Sequence, residues 1–433
     1  MKYYLLLFYL QTFKCIVRLY FQTLSETSFN QTKFINILPF NYIYTTLYVG
    51  SNSQPVKLNI QLQNPYISIL DINFHTHNNN KFDSSKSSTY QEGNYINVYK
   101  TEDAPLESEF IIFNYSGFHS NDLLLLDDKK TQIDNCYFIN VNQSNVLHTF
   151  DYNDGILGLD IRKDDQLSIN ASLISQLKKN NFINTEVFYF SYTNDNEGYL
   201  IIGDYPHNVS SEYKMEDLVE TYAYSYSSEV LWGIYFDNIK YNDSELSSLK
   251  LAIFAIENGF ILCPNTFKDV IEKAFFKQYI DKGYCKRESG EYENYSCDDT
   301  SKVDYSLFPK LEFYHKELNM TFSFDYNDLF YSYEKRKYSL LYFNYDQFWD
   351  SYWILGKPFF RKYQMYFKPD SKRIGFYQTR AKDSFNYWII VTIILLLAIL
   401  GGIVYYFLFV RVKPRKKRVI ELDEEFDYIP YKK

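Results

Sequence analysis

The chain has 433 residues, with 45 Lys and Arg against 53 Asp and Glu and a net charge of −8. A chain this acidic, with no basic cluster before its C-terminal region, has no general attraction for nucleic acid. Its 46% apolar and 23% charged content excludes a disordered chain, and its length suggests about two to three domains.

The N-terminus has a charge at Lys2 followed by the apolar run YYLLLFYL. This is long enough for the core of a secretory leader and too short to span a bilayer. The expectation is a signal peptide over residues 1–20, its end approximate because no cleavage motif stands out, carrying Cys15 away with it; the alternative is a buried N-terminal segment. From about Tyr44 to Gln378, short apolar runs such as VKLNIQL, EVFYFSYT, YLIIG, KLEFY and RIGFY are separated by Asn, Ser, Asp and Gly. Period-two alternation dominates, so the reading is all-β, with helices predicted only at Ser172–Asn180 and Asn265–Lys277. Aromatic residues at 20% of the chain agree weakly with strands.

The triplet Ile156-Leu157-Gly158 returns as Ile354-Leu355-Gly356. Each copy lies about a hundred residues after an apolar strand, the first strand ending near Gln61 and the second near Ala255. Two similar β-lobes in tandem, residues 40–215 and 216–380, are the predicted organisation. Five cysteines are too few to build a scaffold. Cys285 and Cys297 flank a polar loop and are expected to form a local disulfide in an oxidising lumen. Cys136 and Cys263 stand in apolar strand-like surroundings and are expected to be buried free thiols. His75 and His77 lie in an Asn-rich loop without a further ligand, so they read as exposed loop residues. No metal and no cofactor are expected.

Residues Tyr387 to Val410 (YWIIVTIILLLAILGGIVYYFLFV) carry no charge and are long enough for a transmembrane helix. The basic residues from Arg411 to Arg418 follow, so the tail 411–433 is expected in the cytoplasm and the preceding chain outside or in a lumen. The expected protein is therefore a single-pass type I membrane protein of the cell surface or a secretory or endosomal-vacuolar membrane. Sequons at Asn30, Asn114, Asn142, Asn170, Asn208, Asn242, Asn294 and Asn319 all precede the span and are candidate glycosylation sites.

Several motifs occur in an order similar to that of the pepsin-type aspartic peptidases. The stretch YTTLYVGSNSQ from Tyr44 resembles that family's first strand pair. Phe82 with Ser87-Ser88-Thr89-Tyr90 resembles its F-x-P-x-x-S-S-T-Y stretch. Asp154-Gly155-Ile156-Leu157-Gly158-Leu159 resembles its DGILGL, and Gly198 to Gly203 its G-x-L-x-x-G strand. Leu231-Trp232 resembles the opening of its second lobe. Trp353-Ile354-Leu355-Gly356, Phe359 to Tyr363 and Arg373-Ile374-Gly375-Phe376 resemble its closing blocks. The resemblance covers about Tyr44 to Thr379 and implies a mostly β, bilobal pepsin-like double β-barrel fold, followed here by the C-terminal transmembrane helix. It also implies a second-lobe disulfide at Cys285–Cys297 and a flap tyrosine at Tyr99.

The resemblance breaks where the chemistry belongs. The family uses one Asp-Thr/Ser-Gly turn per lobe; its two carboxylates share a proton, one activating water while the other polarises the scissile carbonyl. Here Gln61-Leu62-Gln63-Asn64 and Ala255-Ile256-Glu257-Asn258 stand at those turns. Gln61 cannot ionise and Ala255 has no polar side-chain atom. A rebuilt dyad of Glu257 with Asp71 is the competing site, against a turn with a solvated carboxylate at Glu257 and a strand-end residue at Asp71. After Tyr99 the usual Gly-x-Gly hairpin tip is replaced by Lys100 to Pro105. No serine-hydrolase, zinc-protease or phosphate-loop motif takes the dyad's place. The expected function is that of a catalytically inactive pseudopeptidase binding a peptide or protein ligand in its interlobe cleft. The alternative is an active aspartic endopeptidase with a non-standard site.

Overall fold

The computed structural model describes residues 16–23, 43–74, 81–103, 109–126, 131–144, 153–161, 172–226, 229–241, 244–289, 292–298, 301–343, 352–378, 397–398 and 400–402. Residues 1–378 form one compact unit and 379–433 a second.

The first strand, β1 (Val17–Thr23), alternates strictly: Val17, Leu19, Phe21 and Thr23 are buried, while Arg18 and Gln22 face solvent. Such a period-two pattern suits a strand with one covered face. A hairpin follows, β2 (Ile43–Val49) with β3 (Gln54–Gln61), turning at Gly50, whose φ is +82. The first lobe continues through β4 (Ile67–Leu70), β5 (Tyr95–Asp103), β6 (Glu109–Leu125), β7 (Gln132–Ser144) and β8 (Gly155–Gly158). Next come β9 (Phe188–Asn194), β10 (Glu197–Ile202) and β11 (Leu218–Tyr222).

All these strands belong to one 13-stranded sheet, with the C-terminal strands Met365–Lys368 and Arg373–Tyr377 inserted between β9 and β11. The end of the second half thus returns to the strands that close the first. Within lobe one, β8 lies parallel to β3 and antiparallel to β4, and β4 lies parallel to β7. The second sheet repeats this path. Strand Ser244–Phe254 lies parallel to Tyr352–Leu355; that strand lies antiparallel to Ile261–Cys263, which is parallel to Leu341–Phe343. Each copy of the Ile-Leu-Gly triplet thus lies in its own large sheet, on the same local strand path.

The core is largely aromatic. Trp232 packs edge-on against Phe188 and Phe367, and Trp353 stacks on Phe267. Both predicted helical segments form. The first is Leu173–Lys179; the second runs from Asn265 to Ile280 and contains a π turn at Glu272–Phe276. Glu272, in that turn, accepts hydrogen bonds from Arg287 Nε at 2.7 Å and Nη2 at 2.6 Å, and from Tyr295 Oη at 2.7 Å. These bonds tie the helical segment to the hairpin of Cys285–Ser289 and Glu293–Asp298, which the Cys285–Cys297 disulfide closes. Cys136 and Cys263 are buried and free.

Two expectations need correction. The approximate leader end at residue 20 falls inside β1, whose Val17, Leu19 and Phe21 are part of the main core, so a leader that leaves this strand whole ends before Val17. Asn294 does not suit glycosylation in the folded chain: it is buried, and its amide Nδ2 donates to the Ser339 carbonyl. By contrast Asn208 and Asn319 are exposed, and Asn142 is partly buried. The side chain of Asn114, and Asn30, Asn170, Asn242, His75 and His77, lie outside the described residues. Of the apolar stretch 387–410, only residues 397, 398 and 400–402 are described; they are helical and exposed. Among the described residues no helix is long and apolar enough to cross a membrane.

Candidate active site

Two equivalent turns meet between the lobes. The first follows β3, from Gln61 to Tyr66; the second follows Ser244–Phe254, from Ala255 to Phe260. Backbone bonds fix their correspondence independently of residue counting. Gly158 N donates to Tyr66 O at 2.9 Å, and Gly356 N donates to Phe260 O at 3.1 Å. A Cβ on Gly158 would stand 2.1 Å from Asn64 O, and one on Gly356 would stand 2.3 Å from Asn258 O. Asn64 thus matches Asn258, and Gln61 matches Ala255. The Ile-Leu-Gly triplets end in glycine because the turns lie directly against the strands that end there.

The first turn is reinforced by side chains. Asn64 Oδ1 accepts from Tyr66 N at 2.9 Å, and Asn64 Nδ2 donates to Tyr115 Oη at 3.3 Å. Tyr115, fully buried, also shares a 2.6 Å hydrogen bond with Ser68 Oγ, and burial raises its phenol pKa well above the usual range. In the second turn, Lys357 N donates to Asn258 O at 2.8 Å. Burial, with Arg361 nearby, pushes the Lys357 ammonium down to about 8.

The lobes are joined by the side chains two residues beyond Gln61 and Ala255. Gln63 Nε2 donates to Phe254 O at 3.1 Å, and Glu257 Oε2 accepts from Leu62 N at 3.3 Å. Each side chain crosses to the backbone of the opposite turn. Glu257 is half-buried at the lobe boundary, so the solvated-carboxylate reading is corrected. Asp71, the other half of the competing dyad, has its carboxylate engaged within lobe one. Asp71 bridges to Phe82, and its carboxylate accepts from Asn73 N at 2.9 Å and Asn140 Nδ2 at 2.9 Å. Neither bond leads toward Glu257.

The hairpin beside the first turn is also altered. Tyr99 lies in β5 opposite Asn114, and the ladder runs on past it. It continues past a bulge at Lys100/Thr101 to Asp103↔Glu109, and residues 104–108 lie outside the described residues.

Asp154, at the start of β8, accepts from Lys57 N at 2.9 Å through Oδ2. Burial pushes its carboxyl up to about 6 from 3.8, with the Lys57 amide and ammonium opposing the shift. A carboxyl raised on folding adds stability below 3.8 that is lost as pH rises through about 6. His119 and His315, both held below the usual histidine range by burial, act oppositely, costing stability as pH falls. The variant Asp154→Asn should therefore flatten the part of the stability–pH curve around 6 that belongs to this carboxyl. The check is the difference in urea midpoint between parent and variant on both sides of that pH; an unchanged slope would contradict the assignment.

Chemically, the floor offers an amide at Gln61, a methyl group at Ala255 and one carboxylate at Glu257 held to the opposite lobe. The paired turns, the parallel strand beside each and the hairpin over one lobe define the class. The chain belongs to the eukaryotic aspartyl protease family, whose model matches residues 41–379. No curated protein matches its sequence.

Proposed function

We propose that this family member is a catalytically inactive, peptide-binding pseudopeptidase, held at a membrane by residues 387–410 with the tail 411–433 in the cytoplasm. The observation that carries the reading is the pair Gln61 and Ala255 at equivalent positions of the two turns. Proton sharing between two acids needs two ionisable groups, and this pair has none. The positions beside them are occupied as well, since Gln63 and Glu257 reach across the lobe boundary. Strand β5 ends its sheet, and an extended peptide could lie along such an edge by main-chain pairing. The membrane placement, at the cell surface or in a secretory or endosomal-vacuolar compartment, rests on the apolar stretch and the basic run after it.

One feature favours the alternative, an aspartic endopeptidase with a non-standard site: Glu257 keeps a carboxylate on the floor. The test is equilibrium binding of fluorescent extended peptides to the full-length chain in detergent, with recovered peptide weighed by mass spectrometry. Saturable binding with intact recovery is expected. Absence of binding overturns the ligand-binding reading, and progressive cleavage supports the alternative.

A further inference from the structure

A cavity of about 190 Å³ lies between β9, the short helix Pro206–Val209 with the turn after it, and the end of the helix Lys357–Lys362. No residue of the two turns at 61–66 and 255–260 lines it. The gap follows from the strand pairing. Strand β9 meets Met365–Lys368 only at Phe188 and Tyr189, because the chain ahead of Met365 is helical from Lys357 to Lys362. Gln364 partly closes the opening: its Nε2 donates to Phe190 O at 3.2 Å and to Met365 O at 3.1 Å. Its Oε1 makes no hydrogen bond among the described residues. Tyr189 and Tyr213 give the cavity aromatic walls, and Ser191, Glu212 and Arg361 add a hydroxyl, a carboxylate and a guanidinium to its lining. All of these except Tyr189 reach solvent.

The charges around the cavity are balanced. Arg361 pairs with Asp195, and Lys362 Nζ lies 2.5 Å from Asp328 Oδ2. Arg18 and Asp204 act on Tyr189 with opposite signs. Lys357, beside Arg361, is a further cation, and Glu212, which makes no ion pair among the described residues, is the anion set against it. We infer that this cavity binds a neutral sugar, one hexose-type ring. A ligand of either charge would unbalance its surroundings. A hydroxyl both donates and accepts, so a ring of hydroxyls is served by Glu212 and Gln364 Oε1 as acceptors and by Arg361 as a donor. The C–H face of the same ring is apolar and packs on a tyrosine ring. The volume is below the roughly 300–1,000 Å³ of sites for drug-sized ligands, which fits a single ring rather than a chain of them.

Two sources can supply the sugar. Asn208 is exposed on the short helix and heads the sequon Asn208-Val209-Ser210, and Val209 and Ser210 line the cavity. Its Nδ2 donates to Asp204 Oδ1 at 2.7 Å, and a glycosylated amide keeps one N–H for that bond. One source is therefore the chain's own glycan at Asn208, and the other is a separate saccharide.

The experiment is saturation-transfer difference NMR on the full-length chain from a secretory host, in a detergent without a sugar headgroup. The probes are the methyl glycosides of glucose, galactose, mannose and N-acetylglucosamine, with methyl glucosaminide and methyl glucuronide as cationic and anionic rings. The variant Asn208→Gln, with no glycan beside the cavity, should bind at least one neutral glycoside saturably. The expected Kd is on the order of 1 mM, about tenfold tighter than for either charged ring. Adding Glu212→Ala or Tyr213→Ala should weaken that binding about tenfold. Unfolding midpoints confirm that each variant is folded, and if one is not, the other decides. The chain with Asn208 intact identifies the source. Weaker binding than in Asn208→Gln assigns the cavity to the chain's own glycan, and equal binding assigns it to a separate saccharide. No saturable binding of a neutral glycoside to folded Asn208→Gln overturns the inference. So does a charged ring that binds as tightly as the neutral ones, or an affinity unchanged in both cavity variants.

Discussion

Replacing Gly158 or Gly356 by alanine is expected to cost about 3 kcal/mol or more, the upper end for overpacking, or to prevent folding. The added Cβ meets backbone in both cases, 2.1 Å from Asn64 O at the first site and 2.3 Å from both Asn258 O and Phe260 O at the second. Backbone cannot swing aside as the end of a flexible side chain can. Moving it would disturb the bonds that seat the turns, Gly158 N to Tyr66 O and Gly356 N to Phe260 O. Urea unfolding followed by circular dichroism measures the effect. Midpoints within experimental error of the parent would show that the turns do not lie against these strands. Both turns use the same device, so similar losses are expected at the two positions.

The second large effect is expected at Trp232. Its ring is fully buried against Phe188 and Phe367, and its Nε1 donates to Leu159 O at 2.8 Å, joining the opening of lobe two to the residue after Gly158. Removing a buried tryptophan costs about 3–5 kcal/mol. Leaving the Leu159 carbonyl unpaired adds about 1–3 kcal/mol. Native stability is typically only about 5–15 kcal/mol, so Trp232→Ala should leave little or no folded protein at ambient temperature. Trp232→Phe keeps most of the packing and loses the hydrogen bond, so it should fall between variant and parent. If the alanine variant unfolds at nearly the parent's urea concentration, the aromatic link between the lobes is not what holds them.

The fold was legible where the sequence repeats itself. The two Ile-Leu-Gly triplets and the strands before them marked the two lobes, because close packing against a turn demands glycine at the same place twice. The leader's end was not legible, because nothing between the apolar run 3–10 and β1 marks a cleavage site, whereas the alternation in VRLYFQT is that of a strand. At Asn294 the sequon is a three-residue pattern and says nothing of burial; the strand Glu293–Asp298 is buried along nearly its whole length. In the candidate site, the loss of acids at Gln61 and Ala255 could be read from motif order alone. The cross-lobe bond of Glu257 could not, because Leu62 is 195 residues away and a carboxylate before Asn258-Gly259 looks locally like an exposed turn. Gln63 carried the one available signal: like Glu257, it puts a long polar side chain where the family's turns have glycine.

Incubating the full-length chain with a diverse peptide library across the acidic range, with and without a transition-state inhibitor of aspartic peptidases, tests the central claim most directly. The account predicts no cleavage products above the buffer control, with or without inhibitor. Products that accumulate with time and disappear when the inhibitor is added would contradict it.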